Sequence, residues 1–146
     1  IDPITTDFDQ TLDLKTHGLL SGLGWDGNSL RVVAQQTGDI LTVDSQSGRV
    51  LAKLAGPIAI GDIDYSGGSL WLSTATPMAY SSDEGFSWQS EEQEFTIRQL
   101  DAQTGHEIGR HVVNRLYTGL AWGPEGTLWL AGAAEQRICR AIIAPD

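Results

Sequence analysis

One hairpin is written three times in this chain. Ser21 to Ala34 reads SGLGWDGNSLRVVA, Gly61 to Thr74 reads GDIDYSGGSLWLST, and Thr118 to Gly132 reads TGLAWGPEGTLWLAG. Each copy is a short strand of small and apolar residues that ends on an aromatic (Trp25, Tyr65, Trp122). A Gly-, Asn- or Pro-containing turn follows, and a second strand opens on Leu30, Leu70 or Leu128. A sheet unit of this size cannot bury its apolar face alone, so its recurrence dictates neighbours stacked on neighbours.

Extending each hairpin forward predicts the remaining strands. The first unit reads as Gly22–Trp25, Leu30–Gln35, Asp39–Asp44 and Arg49–Leu54. The second reads as Asp62–Tyr65, Leu70–Thr74, Phe95–Asp101 and Glu107–Val113, with a long insertion over 75–94. Asp26-Gly27-Asn28 is a hairpin turn because Gly and Asn accept positive φ. Asp44 to Gly48 and Asp101 to Gly105 share one pattern: an Asp to cap the turn amides, a Ser or Thr, and a Gly for the left-handed position. The third unit offers Gly119–Trp122, Leu128–Gly132 and Arg137–Ile143, and lacks a fourth strand.

Residues Asp9 to Lys15 alternate around Leu12 and Leu14 and align with Arg49 to Ala55, the fourth strand of the first unit. The chain is thus read as all-β, three four-stranded propeller blades: 1–15 leader and closing strand, 16–57 blade one, 58–114 blade two, 115–146 blade three. Propellers close with roughly 4–8 blades. Two copies related by a two-fold supply six, and the N-terminal strand of each then falls in the blade three of the other. The expected partner is therefore a second copy, a homodimer stitched by strand exchange. The alternative is that these residues are half of a longer chain.

Composition narrows the function classes. The 146 residues carry a formal net charge of −10, which repels nucleic acid and anionic membrane surfaces. No apolar run approaches the ~20 residues of a spanning helix. Cys139 is the only cysteine, so no intramolecular disulfide forms, and its place in an apolar strand predicts a small buried hydrophobe. The compartment is not fixed by these features.

The hairpins TGLAWGPEGTLWLAG and SGLGWDGNSLRVVA resemble blades of the six-bladed NHL, SMP-30/gluconolactonase-like and virginiamycin B lyase-like propellers; glutaminyl-cyclotransferase-like propellers look similar too. That blade signature is shared by many functions and implies fold, not chemistry. The turns in VDSQSGRVL and LDAQTGHEI resemble quinoprotein repeats, with Ala52 and Gly109 in the region where those repeats place a Trp. Ser81 to Trp88, SSDEGFSW, resembles the Asp-box of sialidase-type repeats, with Ser87 for Thr. The resemblance implies a structural hairpin capped by Asp83, turned at Gly85 and underpacked by Trp88.

In a propeller the first strands line the channel, and the fourth-to-first and second-to-third connections share the ligand face. The 75–94 insertion belongs to that face and brings Tyr80, Phe86, Trp88, Asp83 and Glu84 toward the channel mouth; loops of this length are often functional. His17, His111, Asn114, Arg115 and Tyr117 lie in or near the fourth-to-first connections. His17 and Arg115 are expected to face each other across the subunit boundary, where an anionic ligand fits. Asp62 stands where the other units have Gly22 and Gly119. Across a two-fold, a pair of Asp62 carboxylates would hold a divalent cation such as Ca²⁺ or share a proton; the competing role is a structural Asp capping local amides. Asp64, replacing Gly24 and Ala121, is expected on the other side of the strand. Trp71 and Trp129 read as blade-to-blade packing. No Ser-His-Asp order, zinc spacing or phosphate-cradling loop is present. The function expected is a ligand- or protein-binding module with its site at the channel mouth, the alternative a metal-assisted lactonase, hydrolase or lyase built on Asp62.

Overall fold

The computed structural model of the chain describes residues 10–14, 17–56, 60–76, 79–81, 85–87, 94–132 and 136–143. These form antiparallel sheets. The first sheet holds β1 (Leu20–Trp25), β2 (Leu30–Ala34), β3 (Asp39–Val43) and β4 (Val50–Ala55) in spatial order. The second holds β5 (Ile60–Ser66), β6 (Ser69–Thr76), β9 (Glu94–Asp101) and β10 (Glu107–Val113). β7 (Ala79–Ser81) and β8 (Gly85–Ser87) pair as a separate hairpin between β6 and β9. The third sheet holds β11 (Gly119–Trp122), β12 (Leu128–Gly132) and β13 (Arg137–Ala141). The all-β class and the repeated meander are as expected. Residues 10–14, expected within a strand, join no sheet. Leu12 and Leu14 instead lie on an apolar face of the first sheet, against Val32, Ala34, Leu41 and Val43.

The turns that set the registers are built as their residue types require. Asp44 accepts from the amides of Gln46 (2.8 Å) and Ser47 (2.9 Å), and Asp101 from those of Gln103 and Thr104 (both 2.9 Å). Each turn closes on a glycine at positive φ, Gly48 (75°) and Gly105 (77°), a backbone conformation that costs a residue with a Cβ about 1 kcal/mol or more. These amide bonds hold both Asp carboxyls below the usual range. Asp26 caps its own turn through Asn28 N–H (2.9 Å) and Ser29 N–H (2.7 Å).

Register aligns the central part of the first hairpin in all three sheets. Trp25 pairs with Leu30, Tyr65 with Leu70 and Trp122 with Leu128; Gly24 pairs with Arg31, Asp64 with Trp71 and Ala121 with Trp129. Alternation then gives each sheet two faces. One face carries Leu30, Val32 and Val43 in the first sheet, Leu70, Leu72 and Leu100 in the second, and Leu128, Leu130 and Ala141 in the third; we call it the leading face. The trailing face carries Arg31, Val33 and Ile40, then Trp71, Ser73 and Ile97, then Trp129, Ala131 and Ile138. The core is made where one sheet's trailing face meets the next sheet's leading face. Val33 and Ile40 pack with Ile63, Leu70, Leu72 and Leu100, and Trp71 and Ile97 pack with Leu120, Leu128 and Leu130.

Candidate functional site

Asp62 and Asp64 sit on β5 where it runs beside β11. An Oδ2 of Asp62 accepts from Leu120 N–H at 2.7 Å, and an Oδ2 of Asp64 from Trp122 N–H at 2.7 Å. Among the described residues, the first strand of each sheet has one edge without a ladder partner, and these carboxylates satisfy two amides on that edge of β11. Both reach the same neighbour, which corrects the expectation that Asp64 points the other way: residues two apart on a strand share a side. Burial pushes the Asp62 carboxyl up and the nearby Asp64 charge adds to that, while the amides of Ile63 and Leu120 oppose it without cancelling it. In the single chain Asp62 therefore clamps the seam, through an amide on the neighbouring sheet rather than the local amides expected of a structural Asp. The counterpart glycine leaves no vacancy either: a Cβ on Gly22 would lie 3.0 Å from Ile63 Cγ2 and 3.2 Å from Val33 Cγ2.

The seam between the first two sheets has its own clamp. Arg31 donates from Nε to Asp26 (2.8 Å) and from Nη1 to the carbonyl of Ala102, in the turn that follows β9 of the second sheet (2.8 Å). On the second sheet's leading face, the Thr74 and Thr96 hydroxyls are 2.6 Å apart and both accept from Arg98 Nε at 3.2 Å. Among the described residues, no group of three or more His, Cys, Asp and Glu could hold a metal ion.

The expected mouth residues divide. Tyr117 is buried among Trp71, Ile97 and Leu128, and its carbonyl accepts from Ser73 Oγ at 2.5 Å, so it is a core residue whose hydroxyl alone is directed to Asn114 (3.4 Å). Arg115, half-buried, donates from Nε to the same Asn114 oxygen at 3.2 Å. His17, also half-buried, is held by its amide to the carbonyl of Leu14 (3.0 Å). Tyr80 lies in β7, opposite Phe86 of β8, and of the Asp-box-like segment Ser81 and Gly85–Ser87 belong to these paired strands. Trp88, Asp83 and Glu84 lie outside the described residues.

What the sequence did not single out are the two ends of the stack. Ile40 and Ile97 are 0% and 2% exposed in their seams, whereas the equivalent Ile138 is 74% exposed. Trp129 is 40% exposed where its equivalent Trp71 is buried. At the other end, Leu23 is 63% exposed while its equivalents Ile63 and Leu120 are buried. Cys139, expected to be buried, is exposed on the same outer strand as Ile138. In front of the first sheet lies an open apolar recess of about 260 Å³, walled by Leu12 and Leu14 on one side and by Leu23, Leu30, Val32 and Val43 on the other. The buried Ser21 Oγ at its edge has no hydrogen-bond partner among the described residues. The triplicate hairpin was the signal that could have found these surfaces, because it defines what each end should be touching.

No family model matches the chain. No curated protein matches it either. Among solved structures, the crystal structure of the computationally designed Ika4 protein is similar at a TM-score of 0.49 and 15% sequence identity, over 94% of this chain and 100% of that one. A likeness that distant bears on neither fold nor function.

Proposed function

We propose that two copies of this chain close a ring of six sheets, a six-bladed propeller of the NHL and SMP-30/gluconolactonase-like kind that the hairpins resemble. The ring serves as a non-catalytic binding module, and a small molecule or protein docks at its channel mouth. The observation that carries this is the pair of open ends: the exposed trailing face of the third sheet and the recessed leading face of the first are the two halves of a seam the chain already makes twice. A third sheet with Trp129 and Ile138 bare would leave an apolar patch that soluble proteins cover. Asp62 favours binding over catalysis, since its carboxylate is spent on backbone amides. The mouth in this reading is formed by the His17 and Asn114–Arg115 connections and by the 75–94 insertion.

Sedimentation equilibrium tests the ring: the expected mass is two chains, and a well-folded single chain at micromolar concentration overturns it. The metal-assisted alternative is tested by melting with Ca²⁺, with Mg²⁺ and with EDTA. A ligand of the native state raises the melting temperature. The expected result is no shift, and a rise that Asp62→Ala abolishes would reinstate the enzyme reading.

A further inference from the structure

The internal seams specify the junction between copies at the level of single residues. Between the second and third sheets, Trp71 and Trp122 meet edge to face, ring centroids 5.0 Å apart and planes at 66°. Register makes Trp129 the equivalent of Trp71, since each pairs opposite the same position of its first strand (Ala121 and Asp64). It likewise makes Trp25 the equivalent of Trp122, opposite Leu30 and Leu128. Both are exposed in the single chain, Trp25 at 50%.

A second equivalence concerns the N-terminal segment. In the seam between the first two sheets, Leu54 of the outer strand β4 covers the turn glycine Gly105 of the following sheet; a Cβ there would be 3.5 Å from Leu54 Cβ. Leu12 covers Gly48, the same turn position in the first sheet, at 3.3 Å. Residues 10–14 thus stand to the first sheet as β4 stands to the second: they occupy the place of an outer strand belonging to a preceding sheet, with Leu12 in the place of Leu54, two residues off the expected alignment of Asp9–Lys15 with Arg49–Ala55, which put Leu14 there. The recess beside them is where the other strands of that sheet would pack.

Resting on the ring reading above, we infer that the junction between copies is a third instance of the internal seam, in which Trp25 of one copy meets Trp129 of the other edge to face and residues 10–14 of the first copy pair along β13 of the second. The register follows from β3 and β4. Leu54 pairs with Ile40 and Lys53 with Leu41. Ile138 and Cys139 are the equivalents of Ile40 and Leu41. Leu12 of one copy then lies opposite Ile138 of the other, and Thr11 opposite Cys139. A second copy is the occupant because the two bare surfaces at opposite ends of one chain carry the complementary halves of one seam, aromatic against aromatic and strand against open edge. Among the described residues, no carboxylate lines the recess, so the −10 chains meet no acidic wall there.

The register dictates the test. Directly opposed residues on neighbouring strands have Cβ atoms about 4.5–5.5 Å apart, close to what a disulfide spans. Thr11 is exposed, so Thr11→Cys leaves the fold intact. Under mild oxidation by glutathione disulfide, Thr11→Cys is expected to convert the protein to a covalent two-chain species on a non-reducing gel. Thr11→Cys with Cys139→Ser should give none, and Gln103→Cys, on an exposed turn, should link no faster than the unmodified chain. Trp25→Ala and Trp129→Ala should each raise the dimer dissociation constant roughly tenfold or more, as buried Trp anchors do, and the double variant should lose less than the sum. A two-chain mass without the Thr11–Cys139 bond, or with strictly additive Trp variants, overturns the inference and leaves the ring standing. A one-chain mass overturns both. Linking to Cys139 from residue 13 rather than 11 overturns the Thr11–Cys139 register.

Discussion

Ile138→Ala separates a closed ring from a lone chain, because the same side chain is worth different amounts in the two. Ile→Ala in a packed core costs about 2–5 kcal/mol, transfer and cavity terms together. Ile97, 2% exposed, should lose the full amount when truncated. Ile138 is 74% exposed in the single chain and has about a quarter of its contact to lose, so its truncation there should cost under ~1 kcal/mol. In the ring it is covered as Ile97 is, and the cost should rise to about 2–4 kcal/mol. Ile108, 55% exposed on the outer strand β10, is the control: Ile108→Ala should cost about 1 kcal/mol in either case. Equilibrium urea unfolding at two protein concentrations, followed by tryptophan fluorescence, reads all three variants. If Ile138→Ala matches Ile108→Ala in a species whose mass is two chains, the surface around Ile138 is not the junction.

Two further outcomes concern the clamps. Asp62→Asn keeps an oxygen acceptor for Leu120 N–H and removes the buried charge. Because the folded carboxyl titrates above its ordinary value, its contribution to stability is present in acid and lost as pH rises through the folded pKa. The Asn variant should therefore melt at or above the wild type at neutral pH, with the gap shrinking on acidification, and Asp62→Ala about 1–3 kcal/mol below the Asn variant for want of an acceptor; an Asn variant that gains on the wild type toward acid contradicts this. Arg31→Ala strands Asp26 and the Ala102 carbonyl in a seam where both partners of the ion pair are about one-tenth exposed, and should cost about 3 kcal/mol at neutral pH. Burial pushes the Asp26 carboxyl up, but Arg31 and the Ser29 and Asn28 amides outweigh it and hold it below 3.8. The wild type's advantage should thus be full above that value and fade below it; thermal melts of both proteins from neutral to strongly acid solution would show otherwise if the gap is constant.

Local chemistry was legible in the sequence and assembly-level chemistry only in part. The strands of all three units follow from turns whose Asp, Asn, Pro and Gly residues act within five positions, so they could be placed within a residue or two. β10 to β12 fell where expected, and β13 ends at Ala141 rather than Ile143. Asp62 was visible as a carboxylate where sister units carry glycine, but its task was not, because the β11 amide it holds lies 58 positions away. The side of Asp64 was legible from strand alternation alone, and the expectation set it wrongly. Tyr117 looks like a loop residue in sequence and is buried because the third sheet turns it under Trp71. For Cys139, alternation identifies an apolar strand, yet burial needs a covering layer that the described residues do not supply.

The clamps also rank the seams by strength. The second seam has two carboxylate–amide bonds from Asp62 and Asp64, and the first has the Arg31 bridge to Ala102. At the junction, the residues equivalent to Asp62 and Asp64 are Gly119 and Ala121, and the residue equivalent to Arg31 is Trp129. None can make either clamp. In the proposed ring the junction would therefore rest on apolar burial, one aromatic pair and the strand pairing of residues 10–14, and it should be the seam that opens first. Dilution should release folded single chains before any sheet melts: the mass should fall to one chain while the far-ultraviolet circular dichroism of the strands stays unchanged. Lowering the temperature should promote the same release, since apolar contact weakens on cooling while the polar clamps do not depend on it. Strand signal lost in step with mass would mean that the three sheets cannot stand without the second copy, and that the polar clamps do not outweigh the exposed faces they leave behind.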